Sequence, residues 1–207
     1  MRPDPYKLSF PENSGKKVLI HACCAPCCGS IIKRLIGAGL EPTVFFCNPN
    51  IYPRDEYKKR KAEVVRYAEK LNIPCVDMDH DQELWFATVR GRENDPERGE
   101  RCSLCFELRL GKTASYAGKE GFSVFTTSLA ISRWKDRDQV MRAGLKAASL
   151  FPGITFWDMD WRKGGGTEMM AQITKEEKFY RQNYCGCIYS FENSLKKQMD
   201  YGENSPG

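Results

Sequence analysis

The sequence predicts an α/β domain: a doubly wound, mostly parallel sheet of five strands, with a helical appendage at the C-terminus. Three observations carry this. Short apolar runs alternate with segments of helical period between residues 17 and 157. The runs are continuous rather than alternating, as in strands covered on both faces. Cysteines, polar residues and basic residues gather just after the runs, where ligands sit in open parallel sheets. The 207 residues divide into an α/β domain, residues 1–160, and an extension, residues 161–207, that folds back over the site. A chain of this length buries a full core without disulfide staples.

The elements follow in order. Residues 1–15 read as an irregular lead-in whose Tyr6, Leu8 and Phe10 pack onto the domain. Residues 17–22, centred on Val18, Leu19 and Ile20, form the first strand. After a cysteine-rich turn, residues 30–38 are helical and stop at Gly39. Residues 43–46 give a second strand, and residues 47–53 a loop punctuated by two prolines. In residues 54–71, Tyr57, Val64, Val65, Ala68 and Leu71 recur at helical spacing, and the basic run Lys58 to Lys61 reads as the solvated face of that helix. Residues 74–78 form the third strand, residues 82–90 a short helical or irregular piece, and residues 91–100 a polar loop. A helix opens at Cys102 and runs to Ala117. Residues 122–126 are the fourth strand, residues 139–149 a helix, and residues 154–157 the fifth strand. Beyond lie a glycine linker at residues 164–166, a polar helix at residues 167–178, a last helix ending near Asp200, and a polar tail at residues 201–207.

The first ten residues carry two prolines and no apolar core of a signal peptide, and no segment reaches the apolar length of a membrane span, so the reading is cytoplasmic with no membrane partner. A net charge of +5 is compatible with RNA through local patches but does not by itself indicate it. Ten cysteines in a reducing compartment point to metal or redox chemistry rather than to disulfides.

Eight of the ten form three groups: Cys23, Cys24, Cys27 and Cys28; then Cys102 and Cys105; then Cys185 and Cys187. Adjacent cysteines seldom pair with each other, whereas spacings of one or two residues suit one metal centre, and thiolates are ligands for zinc and for iron-sulfur clusters. Cys47 and Cys75 stand alone in apolar strands and read as core thiols. A structural zinc needs four thiolates and a cubane takes at most four protein ligands, so eight are a surplus. That surplus suggests an open iron with nearby thiols, or a second metal. A radical-SAM loop requires a third cysteine where Ser30 stands. A thioredoxin-like dithiol of Cys24 and Cys27 leaves the other groups without a purpose.

For RNA, Arg133, Trp134 and Lys135 combine an aromatic plane with cations after the fourth strand, with Arg98, Arg101, Arg162 and Lys163 as neighbours. His21, Tyr52, Asp55 and Tyr184 are candidate proton donors near the cysteine groups. Residues alone leave two classes open: an iron-sulfur redox enzyme acting on RNA, and a zinc-stabilised RNA-binding module. A tRNA thiolation enzyme is a third reading.

Several segments resemble the QueH-type epoxyqueuosine reductases, a family within the nucleotide α-hydrolase-like folds: residues 19–27 (LIHACCAPC), residues 48–53 (NPNIYP) with Glu56, Tyr57 and Arg60, residues 102–109 (CSLCFELR), residues 126–129 (TTSL) and residues 180–187 (YRQNYCGC). The resemblance implies reduction of epoxyqueuosine to queuosine at the wobble base of tRNA, the last step of queuosine biosynthesis, by an iron-sulfur rather than a cobalamin enzyme. The partners it implies are tRNA carrying epoxyqueuosine and an external low-potential electron donor. ATP-binding relatives of the fold carry a Gly-rich phosphate loop where this chain has residues 22–28, which implies no ATP requirement. Removing an epoxide oxygen takes two electrons and two protons. The expectation is a [4Fe-4S] cluster on Cys24, Cys102, Cys105 and Cys187, with Cys23 and Cys185, together with Cys27, holding an adjacent iron or facing the substrate.

Overall fold

The fold is described from a computed structural model, for residues 8–12, 14–78 and 81–203. Five strands, β1 (Lys17–His21), β2 (Glu41–Phe46), β3 (Cys75–Asp77), β4 (Val124–Thr127) and β5 (Thr155–Phe156), form one parallel sheet in the order β3-β2-β1-β4-β5. Continuous burial explains the unbroken apolar runs: Val18, Leu19, Ile20, Val44, Phe45 and Phe125 are fully enclosed. Leu19 pairs with Thr43 on one side and Phe125 on the other, so β1 is the central strand. The chain leaves β1 toward β2 and later returns to β4 on β1's other side. The carboxyl ends of β1 and β4 therefore flank the switch in strand order, where such sheets bind ligands.

Among the described residues seven helices accompany the strands: α1 (Ala25–Gly37), α2 (Arg54–Lys70), α3 (Gln82–Thr88), α4 (Glu100–Lys119), α5 (Arg137–Ser149), α6 (Gly166–Glu176) and α7 (Ile188–Glu203). α1 packs with α2 and α6, and α4 with α5 and α3. A 3-10 turn, Leu129–Ile131, follows β4.

Three boundaries differ from the sequence expectation in ways that matter for the site. α1 begins at Ala25, not at residue 30, because Pro26 suits a first helical turn whose N–H groups have no intrahelical partner. Cys27 and Cys28 therefore lie on a helix, not in a loop. α4 begins at Glu100, which places Cys102 and Cys105 within its first two turns. Asp136 caps α5 by accepting from Gln139 N at 2.8 Å, so that helix starts at Arg137.

The glycines at residues 164–166 form a tight turn rather than an extended linker. A Cβ on Gly166 would sit 1.8 Å from Trp161 O, so only glycine fits. Arg34 of α1 is 2% exposed and donates to Lys163 O at 3.2 Å, which ties the turn to α1. Phe10 packs edge-on against Trp157 at 5.0 Å, and Leu8 joins the same core. Tyr6 lies outside the described residues. The expected polar tail is helical as far as Glu203, and residues 204–207 are likewise outside the described part. No helix among the described residues is long and apolar enough to cross a membrane.

Candidate metal centre

The turn from β1 into α1 gathers three thiols. The sulfurs of Cys23, Cys24 and Cys27 lie within 4.8 Å of one another, all buried, with Cys23 Sγ 3.8 Å from Cys24 Sγ. Ser128, just past β4, holds the turn from the neighbouring strand: its hydroxyl accepts from Cys23 N at 3.1 Å and donates to Cys23 Sγ at 3.4 Å. Asn48 donates to Ala22 O at 2.9 Å from the β2 side. Hydrogen bonds from Cys24 and Cys27 hold the Cys23 thiol well below its usual range, overcoming burial with help from Lys135 and Arg109. The hydrogen bond to Cys23 pushes Cys24 up to about 11, and Cys27 is raised well above the ordinary thiol value by the same pair of contacts.

A second group forms where α4 meets the segment before α7. Cys102, Cys105, Cys185 and Cys187 line one small void with Asn50, Trp85, Phe106, Arg101 and Arg109. Burial pushes Cys102 up to about 12, with the sulfurs of Cys185, Cys105 and Cys187 adding to it, and burial pushes Cys187 to about 11. Gly186 lets the two C-terminal thiols turn toward the void. At φ +141°, its Cβ would stand 3.1 Å from Arg60 Nη1. Arg60 in turn pairs with Glu56 at 2.7 Å and donates to Cys185 O at 3.1 Å.

The residues fit a metal-sulfur group. All ten cysteines are free, and seven of them crowd two adjoining places. Around the second group, Trp85 Nε1, Arg101 Nε and Arg109 Nε are buried N–H donors with no acceptor among the described residues. Unpaired buried donors are costly in a folded protein. Anionic sulfur in the void they line is the acceptor this arrangement lacks.

Several residues expected at the site have other placements. His21 is fully buried. Its Nε2 lies 3.0 Å from Cys47 O, which can only accept, so Nε2 carries the proton and Nδ1 accepts from Thr127 Oγ1 at 3.0 Å. Burial and Arg109 lower its pKa to about 3, which keeps the ring neutral. Tyr184 is buried and donates its hydroxyl to Tyr52 O. Tyr52 packs on Phe191 with ring centroids 5.9 Å apart. Asp55 is 84% exposed in a surface pair with Lys58. Arg101 is 2% exposed, donates to Glu93 O at 2.7 Å and stacks over Tyr189. Lys135 is 5% exposed and borders the second thiol group. Of the expected RNA-binding residues, Arg133 and Trp134 remain accessible, with the guanidinium 4.8 Å over the indole.

Those two residues wall a cavity of about 310 Å³ that has Cys27 and Pro26 on one side. Arg162, Arg181, Gln182 and Met170 complete it, so α6 and the segment after it form the far wall. Gln182 donates to Cys24 Sγ at 3.4 Å. Arg109 donates to Asn48 Oδ1 at 2.5 Å and reaches Cys105 Sγ at 3.9 Å, which links the two thiol groups. The sequence reading did not assign roles to Gln182, Arg181, Arg109, Asn48, Trp85 or Ser128. All but Trp85 sat inside or beside the quoted motifs, and only the packing shows what they touch.

Comparison with known proteins agrees over most of the chain. The family model described as epoxyqueuosine reductase QueH matches residues 18–193. A protein of Acinetobacter baylyi named epoxyqueuosine reductase QueH is 47% identical over 198 residues, covering 96% of this chain and 90% of that protein. One of the same name from Haemophilus influenzae is 46% identical, covering 95% of this chain and 80% of its own length. Another from Thermotoga maritima is 32% identical, covering 88% and 94%.

Proposed function

The chain belongs to the QueH family of epoxyqueuosine reductases, and we propose that it performs the reduction in the Trp134-walled cavity beside Cys27. It is an oxidoreductase that converts epoxyqueuosine to queuosine, the last step of queuosine biosynthesis. The observation that carries the placement is the shared wall: Cys27 belongs to the buried thiol trio and also lines the cavity.

The substrate is tRNA bearing epoxyqueuosine. Trp134 offers a stacking face for the modified base, and Arg133, Arg162 and Arg181 surround it with cations for the ribose-phosphate chain. Gln182 lines the cavity and donates to Cys24 Sγ, so it joins the substrate space to the thiol trio.

Cys102, Cys105, Cys185 and Cys187 are assigned to a four-iron cluster, and Cys23, Cys24 and Cys27 to an adjacent iron. This division moves Cys24 and Cys185 from the places expected on sequence, because the turn after β1 groups Cys24 with Cys23 and Cys27, while Cys185 shares a void with Cys102. When bound, these groups supply electrons from an external low-potential donor and an acceptor position for the epoxide oxygen. The protein's part is orientation and charge. Ser128 and Asn48 fix the turn, Arg109 carries positive charge between the two places, and Lys135 carries it beside the second. His21, with both ring nitrogens engaged inside the fold, positions the β1 end rather than moving a proton. Neither Tyr52, Asp55 nor Tyr184 lines the cavity, and proton supply is assigned to water entering past the exposed Arg133 and Arg181.

The test is anaerobic turnover: reconstituted protein, tRNA containing epoxyqueuosine, and dithionite, with nucleosides identified by mass. Formation of queuosine supports the reading. Metal-loaded protein that gives no product returns the chain to a zinc-stabilised RNA-binding role.

A further inference from the structure

Lys135 is a lysine buried to 5% exposure, with a single hydrogen bond from its ammonium, to Ser132 Oγ at 3.4 Å. Among the described residues no carboxylate pairs with it. The nearest acidic side chain in sequence, Asp136, is engaged in capping α5. Other buried cations of the site are differently served: Arg60 has Glu56 at 2.7 Å, and Arg109 has Asn48 at 2.5 Å. A buried ammonium without a counter-ion would be strongly disfavoured.

Its surroundings supply the missing charge. Lys135 lines the same cleft as Cys102, Cys185 and Cys187, and it follows directly on Trp134, which walls the substrate cavity. The turn that carries it is fixed at both ends, by Lys135 N donating to Ser132 O at 3.3 Å and by the Asp136 cap.

Resting on the iron-sulfur reading above, we infer that Lys135 is the charge-compensating residue of the centre, a fixed cation beside Cys102, Cys185 and Cys187 that favours the reduced, more negative state of the group they hold. A cation held beside an electron-carrying group stabilises added negative charge on it, so it eases electron entry. Its position next to Trp134 puts that charge close to the bound base without exposing it to the RNA backbone.

The experiment compares Lys135→Met and Lys135→Arg with wild type in the reconstituted full-length protein. At a fixed poised potential, Lys135→Met should shift the reduced-to-oxidised ratio at least tenfold toward oxidised, a 59 mV fall for a one-electron couple, and Lys135→Arg should recover most of it. Thermal unfolding of metal-free Lys135→Met should be no earlier than wild type, since removing a buried charge that lacks its counter-ion does not weaken a fold. A ratio within twofold of wild type overturns the inference, as does metal-free Lys135→Met unfolding earlier by the same margin as the loaded protein. If wild type takes up zinc and no sulfide, the iron-sulfur reading fails by itself. Zinc release to a chelator then tests Lys135: at least tenfold faster release from Lys135→Met upholds it, and an unchanged rate overturns it.

Discussion

Gln182 donates its amide hydrogen to Cys24 Sγ across 3.4 Å, joining two residues that are 158 positions apart in the chain. The C-terminal segment is thereby part of the centre at the end of β1. Gln182→Ala removes a hydrogen bond to sulfur and a wall of the cavity. A hydrogen bond is worth about 0.5–1.5 kcal/mol, so turnover should fall roughly two- to tenfold while circular dichroism stays unchanged. Steady-state kinetics on epoxyqueuosine tRNA check this.

Trp134→Ala should weaken tRNA binding through loss of the stacking face, by about 1–3 kcal/mol. Arg133→Glu and Arg181→Glu should weaken it further at low salt and less at high salt, as phosphate contacts require. Filter binding across a salt series decides between these roles. Unchanged binding in all three variants would remove the cavity from the RNA interface.

The three isolated thiols should behave unlike the seven. Cys75→Ser and Cys47→Ser should keep iron, sulfide and turnover, because neither sulfur belongs to the trio or the void. Cys28 is fully buried on α1 and donates to Ala25 O at 3.6 Å. Its replacement by Ala should cost about 1–2 kcal/mol of stability in urea unfolding with metal content intact.

Gly186→Ala meets Arg60 Nη1 at 3.1 Å in a backbone conformation, φ +141°, that side chains rarely adopt. About 1–3 kcal/mol of strain is expected there. Because the residue sits between Cys185 and Cys187, metal content should fall more than fold stability does. Parallel metal analysis and thermal melts read the two effects separately.

His21→Ala leaves Cys47 O and the Thr127 hydroxyl without their buried partner. The expected loss is roughly 3 kcal/mol of stability, measurable as a lower urea midpoint. A catalytic imidazole would instead give normal stability with lost turnover.

Strands were legible because β1, β2 and β4 are enclosed on both faces, which makes Val18 to Ile20 and Val44 to Phe46 continuous apolar runs. The start of α1 was not, since a turn rich in cysteine and proline reads as irregular although Pro26 fits a first helical turn. Cysteine spacing marked the three groups but could not say which converge. Cys185 meets Cys102 only because Gly186 and Arg60 bend the C-terminal segment over α2, a relation between residues 125 positions apart. Lys135 and Arg101 looked like RNA contacts because a basic letter carries no direction. Packing turns both inward, one toward sulfur and one under Tyr189.

The most direct measurement is iron and acid-labile sulfide per chain after anaerobic reconstitution, in wild type and in Cys105→Ser, Cys27→Ser and Cys75→Ser. Wild type and Cys75→Ser should hold about four sulfides and about five irons. Cys105→Ser should lose the sulfide, and Cys27→Ser should keep the sulfide but lose the extra iron. One zinc with no sulfide in wild type would contradict the account.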